Sequence, residues 1–405
     1  MIRSADHYLF RNERKHINGG LIMSLTALVA TRKGLFTFTS TDDHAHWVMT
    51  SSAFLGVSVS MVLVDPRDNK WYAALNHGHF GVKLHRSDNQ GQSWQEITTP
   101  SYPPINCSDK SNDQGIAENP DNSPGNTNNA EADSIDLIWA LETAGDDKPG
   151  TLWAGTIPGG LFYSDDCGEN WQLNTSLWER EERRQWFGGG YDKPGIHSIC
   201  VDPRDSDHIT LGVSCGGVWS SDDGGTSWAN KSKGMRAAFM PPEKQFDPNI
   251  QDPHRVVNCN TSPDVFWAQH HNGIFHSRDN AETWQEIENV APSSFGFAVA
   301  VHPNEPDVAW FVPGVKDECR IPVEAKFVVT RTRDGGNRYE TLTAGLPSED
   351  AYDLVYRHGL DVDTSGTCLL MGSTTGNLWV SANQGDQWHC ISHYLPPVYC
   401  VKFIK

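Results

Sequence analysis

One pattern recurs seven times along this chain and restricts its fold more than any other feature. It runs Ser or Thr, an Asp or Asn two residues later, usually Gly at the fourth step, and an aromatic at the seventh. The fullest copies are Ser164, Asp166, Gly168, Trp171 and Ser221, Asp223, Gly225, Trp228. Looser ones are Ser87, Asn89, Gly91, Trp94, then Ser277, Asp279, Ala281, Trp284, and Ser381, Asn383, Gly385, Trp388. Thr332, Asp334, Gly336 ends on Tyr339, and Ser40, Asp42, His44, Trp47 lacks the glycine. The copies start 47 to 77 residues apart, a spacing that fits one supersecondary unit per copy in a repeat architecture.

The residue types explain what each copy does. A short apolar run precedes it, as at Gly217, Val218 and Trp219, so the motif turns a strand back on itself. The Asp or Asn oxygen can accept turn N–H groups, and Gly tolerates a positive φ. Ala281 and His44 at that position cost roughly 1–2 kcal/mol if they adopt the left-handed conformation. The aromatic then opens the next strand and packs between neighbouring sheets.

Around each copy four strands can be read, for example 196–202, 208–214, 217–221 and 227–231. Five other inner strands are expected near 57–64, 135–141, 255–259, 296–301 and 355–362. The first unit has no inner strand, because the chain enters it at residue 25, while residues 398–404 alternate like an inner strand with no unit of their own. The expectation is an all-β fold: a seven-bladed β-propeller over residues 24–405, closed by the C-terminal strand pairing into the N-terminal blade. That closure removes both sheet edges. Residues 1–23 are expected to be an extension, and 103–134 a long polar loop, both contributing little to stability.

Acidic residues outnumber basic ones by 51 to 32, giving a formal charge of −19. Such a surface repels phosphate backbones, so nucleic acid is not an expected partner. No apolar run approaches a membrane span, and the polar first twenty residues do not read as a signal peptide. Nine scattered cysteines without a CxxC pair fit a reducing compartment, so a cytoplasmic location is expected.

These repeats, with Asp65, Pro66, Arg67, Asp68 echoed at Asp202, Pro203, Arg204, Asp205, resemble the Asp-box (bacterial neuraminidase repeat) superfamily. The opening Ala30 to Phe36, the stretch Gln185 to Gly190 and the ending Leu395 to Val398 resemble the bacterial sialidase-like or glycosyl-hydrolase-like repeat proteins. The resemblance implies a propeller acting on an acidic sugar at the face opposite the Asp boxes. The alternatives are a non-catalytic propeller binding a protein or glycan, and a metal-dependent enzyme with a His-lined channel. Arg320, Ile321, Pro322 spells the sialidase Arg-Ile-Pro signature, but after five boxes rather than before them.

Topology puts the second-to-third loops and the inter-blade loops on one face, and nearly all irregular length falls there. Function is expected on that face. Arg32, Arg184, Arg320 and Arg357 are candidate anion ligands, with Trp186 in a segment that could cap a pocket. Glu179, Glu318, Glu324 and Asp353 are the candidate acids. His79, His197 and His271 are the candidate ligands of a divalent transition metal at the central channel.

Overall fold

A computed structural model describes residues 24–40, 44, 46–103 and 134–404. Seven four-stranded antiparallel sheets form a seven-bladed β-propeller. In the first blade the innermost strand is the last of the chain, β28 (Val398–Ile404), followed outward by β1 (Thr26–Thr31), β2 (Gly34–Ser40) and β3 (Trp47–Ala53). The pairing runs from Thr26 opposite Ile404 to Thr31 opposite Val398, so both termini of the ring share one sheet as expected. The other innermost strands are β4 (Ser58–Val64), β8 (Leu137–Thr143), β12 (Gly195–Asp202), β16 (Pro253–Cys259), β20 (Gly296–Val301) and β24 (Leu360–Val362). The expected extension and most of the expected 103–134 loop lie outside the described residues.

Six of the repeat turns share one hydrogen-bond pattern. The Ser or Thr hydroxyl donates to the Asp or Asn oxygen and accepts the N–H at the fourth step, as Ser164 Oγ does with Asp166 Oδ1 (2.8 Å) and Gly168 N (2.9 Å). The same Asp166 oxygen accepts the N–H two residues further on, from Asn170 at 2.9 Å. Ala281 holds the fourth position at φ 60°, the left-handed region where a side chain is strained. The tryptophans then reach across blades: Trp171 Nε1 donates to Thr98 O (3.1 Å), Trp228 Nε1 to Asn174 Oδ1 (2.9 Å) and Trp284 Nε1 to Lys231 O (2.7 Å). In these three blades the repeat therefore makes the turn and also ties the blade to the one before it.

The Asp-Pro-Arg phrase has a related use. Arg67 pairs with buried Asp65 and donates to the carbonyls of Ala144, Gly145, Lys148 and Thr151 in the next blade. All the described cysteines are free thiols, and no described helix is long and apolar enough to cross a membrane.

The last blade departs from expectation in a way that matters for the site. Its inner strand starts at Leu360 rather than 355. Before it the chain turns, with Gly359 N bonded to Tyr356 O and Val401 N to His358 O. Gly359 permits this tight path, since a Cβ there would lie 2.8 Å from Gly372 O. Residues Tyr356, Arg357 and His358 leave the sheet and turn to the axis.

Candidate functional site

The inner strands begin, and the second-to-third loops end, on the face opposite the repeat turns. A cavity opens there on the axis in two lobes, of about 250 and 160 Å³. They share Gly190, Phe297, Arg320 and Arg357. The larger lobe is walled by Trp139, Tyr191, Tyr356 and Tyr399, the smaller by Phe187, Phe239, Asp252, His254 and His271.

Arg357 is the centre of the cavity. Its residue is 7 % exposed, its guanidinium carbon stands 4.6 Å from the Trp139 ring centre and 5.3 Å from that of Phe297, and its Nε has no hydrogen-bond partner. Among the described residues it enters no ion pair. Burial lowers its pKa, which the more distant Asp252 only partly offsets. A buried guanidinium held by aromatic faces and lacking a carboxylate is a costly arrangement unless an anion completes it. Arg320 caps the shared region from the insertion after β21 (Ala309–Pro313), with its guanidinium on Asp317 and 5.3 Å from the Phe297 ring.

In the smaller lobe Asp252 accepts Cys215 N (3.1 Å) and Ser214 Oγ (3.3 Å) on Oδ1. Its Oδ2 faces His254 Nε2 and His271 Nδ1, each at 3.4 Å. Burial alone would raise the Asp252 carboxyl, but the His254 and His271 rings and Arg357 hold it well below the usual carboxylate range. Burial keeps His254 below the ordinary imidazole value. For His271 burial acts the same way but is outweighed by the Asp252 carboxylate beside it, so its pKa is raised.

No family model matches this chain, and no curated protein does. Solved structures do. An ancestral GH74 enzyme aligns with a TM-score of 0.53 at 16% identity, covering 86% of this chain and 38% of that one. YCF48 bound to a D1 peptide aligns at 0.49 and 14%, covering 91% and 98%. The GH74 xyloglucanase from Xanthomonas campestris aligns at 0.30 and 14%, covering 88% and 53%. This chain thus spans about two fifths of the ancestral enzyme's length. The likeness is one of fold.

Of the residues singled out in the sequence, Arg320 and Arg357 line the cavity together, and His271 lines it with them. Arg32 stands exposed at the rim, its charge felt by Tyr399 of the wall. The others are placed elsewhere. Trp186 is buried in the core against Trp219, at 5.8 Å between ring centres, because the segment after it, not the indole, covers the cavity. Arg184 and Glu179 are exposed on the outside of that segment. Glu318 and Glu324 are exposed partners of Lys316 and Lys326. Asp353 is buried as a structural acceptor for Ser373, Thr375 and Asn377.

The expected trio of His79, His197 and His271 is not assembled. His79 is exposed on a short turn against Phe80. Both ring nitrogens of buried His197 are engaged, Nε2 with Pro253 O (2.7 Å) and Nδ1 with Ser198 Oγ (2.9 Å). Among the described residues the group with metal-ligand spacing is instead Asp252, His254 and His271, whose donor atoms all lie within 4.8 Å of one another. The sequence carried a signal for His254: like His197 it begins an inner strand, and each ring bonds the first carbonyl of the next inner strand. The difference is which nitrogen does so, and no spacing rule reveals that.

Proposed function

We propose that the axial cavity binds a small organic anion, with a carboxylate or phosphate seated at Arg357 and Arg320. Its ring or carbon frame would lie against Trp139, Tyr191 and Phe297. The observation that carries this reading is Arg357, a buried cation that lines the cavity and enters no ion pair among the described residues. Planar guanidinium groups suit carboxylate and phosphate, and aromatic walls suit sugar faces or flat rings. An acidic monosaccharide fits both requirements and the cavity's size.

The carboxylates that line the cavity weigh against a two-carboxylate glycosidase. Asp252 is held well below the usual carboxylate range by its neighbours, which does not suit a proton donor, and Asp317 is engaged by Arg320. A second reading, docking of a protein or peptide, is favoured by the exposed aromatics Phe80, Phe239, Phe246, Tyr352 and Tyr394 on loops of the same face.

A thermal-shift panel separates the readings. Uronic and sialic acids, aromatic carboxylates and sugar phosphates should raise the melting temperature, while their neutral isosteres should not. Equal shifts from acids and neutral isosteres, or none from any acid, would remove the anion reading.

A further inference from the structure

We infer that Asp252, His254 and His271 form a binding site for one divalent transition-metal ion, opening onto the smaller lobe of the cavity. His254 has one ring nitrogen whose hydrogen can be placed. Its Nδ1 lies 2.7 Å from the carbonyl of Gly296, which can only accept, so Nδ1 carries the hydrogen. In the neutral ring Nε2 then presents a bare lone pair, and what it faces at 3.4 Å is a carboxylate oxygen, Asp252 Oδ2. Two acceptors oppose each other unless a positive charge lies between them.

A proton on Nε2 would close such a pair to the roughly 2.7–2.9 Å of a charge-assisted hydrogen bond. The observed spacing is longer, and the same Oδ2 keeps the same 3.4 Å from His271 Nδ1. Ligands about 2.0–2.2 Å from a shared tetrahedral ion stand roughly 3.4 Å apart, which is this spacing.

The surroundings are those of a metal site rather than a solvated cluster. His254 and Asp252 are buried, and His271 is a quarter exposed and faces the lobe. Two of the three have outer hydrogen-bond partners, Gly296 O for His254 and Cys215 N and Ser214 Oγ for Asp252, while the His271 ring packs edge-on to Phe239 at 4.7 Å. Hydrogen bonds behind the ligands are what orient imidazole and carboxylate donors in metalloproteins. Gly189 closes over the group, where a Cβ would come within 3.3 Å of Asp252 Oδ2.

Two imidazoles and one carboxylate leave coordination positions free, the donor set of open zinc and non-haem iron(II) sites. The free positions would face the lobe that Arg320 and Arg357 also line. Only one part of the proposal rests on the anion reading, namely that an anion held by Arg357 also reaches the ion.

The full chain, stripped with a chelator and returned to a non-coordinating buffer without added organic anion, is titrated with Zn²⁺, and separately with Co²⁺ under a visible spectrum. One equivalent of Zn²⁺ should bind, with the melting temperature rising, and Co²⁺ should give the intense d–d bands of a low-coordinate site. His271→Ala, at a partly exposed position, and Asp252→Asn should each weaken binding by at least about tenfold, while His79→Ala should bind as the parent does. If no stoichiometric binding is seen, or if binding is unchanged in both His271→Ala and Asp252→Asn, the site is refuted. Such a result would leave the anion reading of Arg357 untouched, because no anion takes part in the titration.

Discussion

At the residue scale, single side chains in this molecule act across blade boundaries. Arg67 is the clearest case, since it joins buried Asp65 to four carbonyls of the next blade. Arg67→Ala should cost about 3–5 kcal/mol, because it strands a buried carboxylate and several acceptors. Urea unfolding checks this, and a loss under about 1 kcal/mol would place the interaction among weak surface pairs. The role of Asp65 and Arg67 as a blade phrase was legible in the repetition, but their partners were not, because a carbonyl cluster has no residue signature. The same limit explains Arg357. Its place in the expected inner strand near 355–362 could be read, whereas its isolation from the described carboxylates is a property of three-dimensional packing.

At the scale of the element, the repeat turn is where sequence and structure agree most closely. The pattern of hydroxyl, carboxylate or amide, and glycine encodes local hydrogen bonds, so one strand and its turn suffice to read it. Asp166, Asp223 and Asp279 have carboxyls below their ordinary values. For Asp223 the bonds from Ser227 lead. For Asp166 and Asp279 burial opposes the shift and is outweighed by bonds from Asn170 and Thr283. Groups depressed in the folded state contribute stability that is complete above the unfolded value of about 3.9 and is lost as pH falls through the folded values. The urea midpoint should therefore drop below about pH 4, and Asp166→Asn should make that drop shallower, since Asn89 and Asn383 serve the same position elsewhere without titrating. An unchanged pH profile in Asp166→Asn would show that this carboxylate does not contribute. Inner-strand boundaries were less legible. A strand was expected over residues 355–362, but Tyr356, Arg357 and His358 turn to the cavity, and His358 O accepts Val401 N of β28, a long-range contact that local preference does not show.

At the scale of the whole molecule, ring closure and the axial cavity depend on each other. β28 completes the first blade, and Tyr399 on it forms part of the cavity wall. Removing residues 395–405 should therefore abolish cooperative unfolding, and a truncated chain that melts like the parent would contradict the closure. The site face was legible because long loops collect on it. Of the residues that line the cavity, Arg320, Arg357 and His271 were among those singled out in the sequence, while Asp252 and His254 were not, since the cavity joins blades far apart in the chain. On the anion reading, ligand affinity depends on Arg357. The direct measurement is calorimetric titration of the acid giving the largest thermal shift into the parent protein, into Arg357→Met and into the exterior control Arg184→Met. Arg357→Met should lose at least about tenfold in affinity, the scale of one charge-assisted bond, and Arg184→Met should lose none. Equal affinity in all three proteins would contradict that reading.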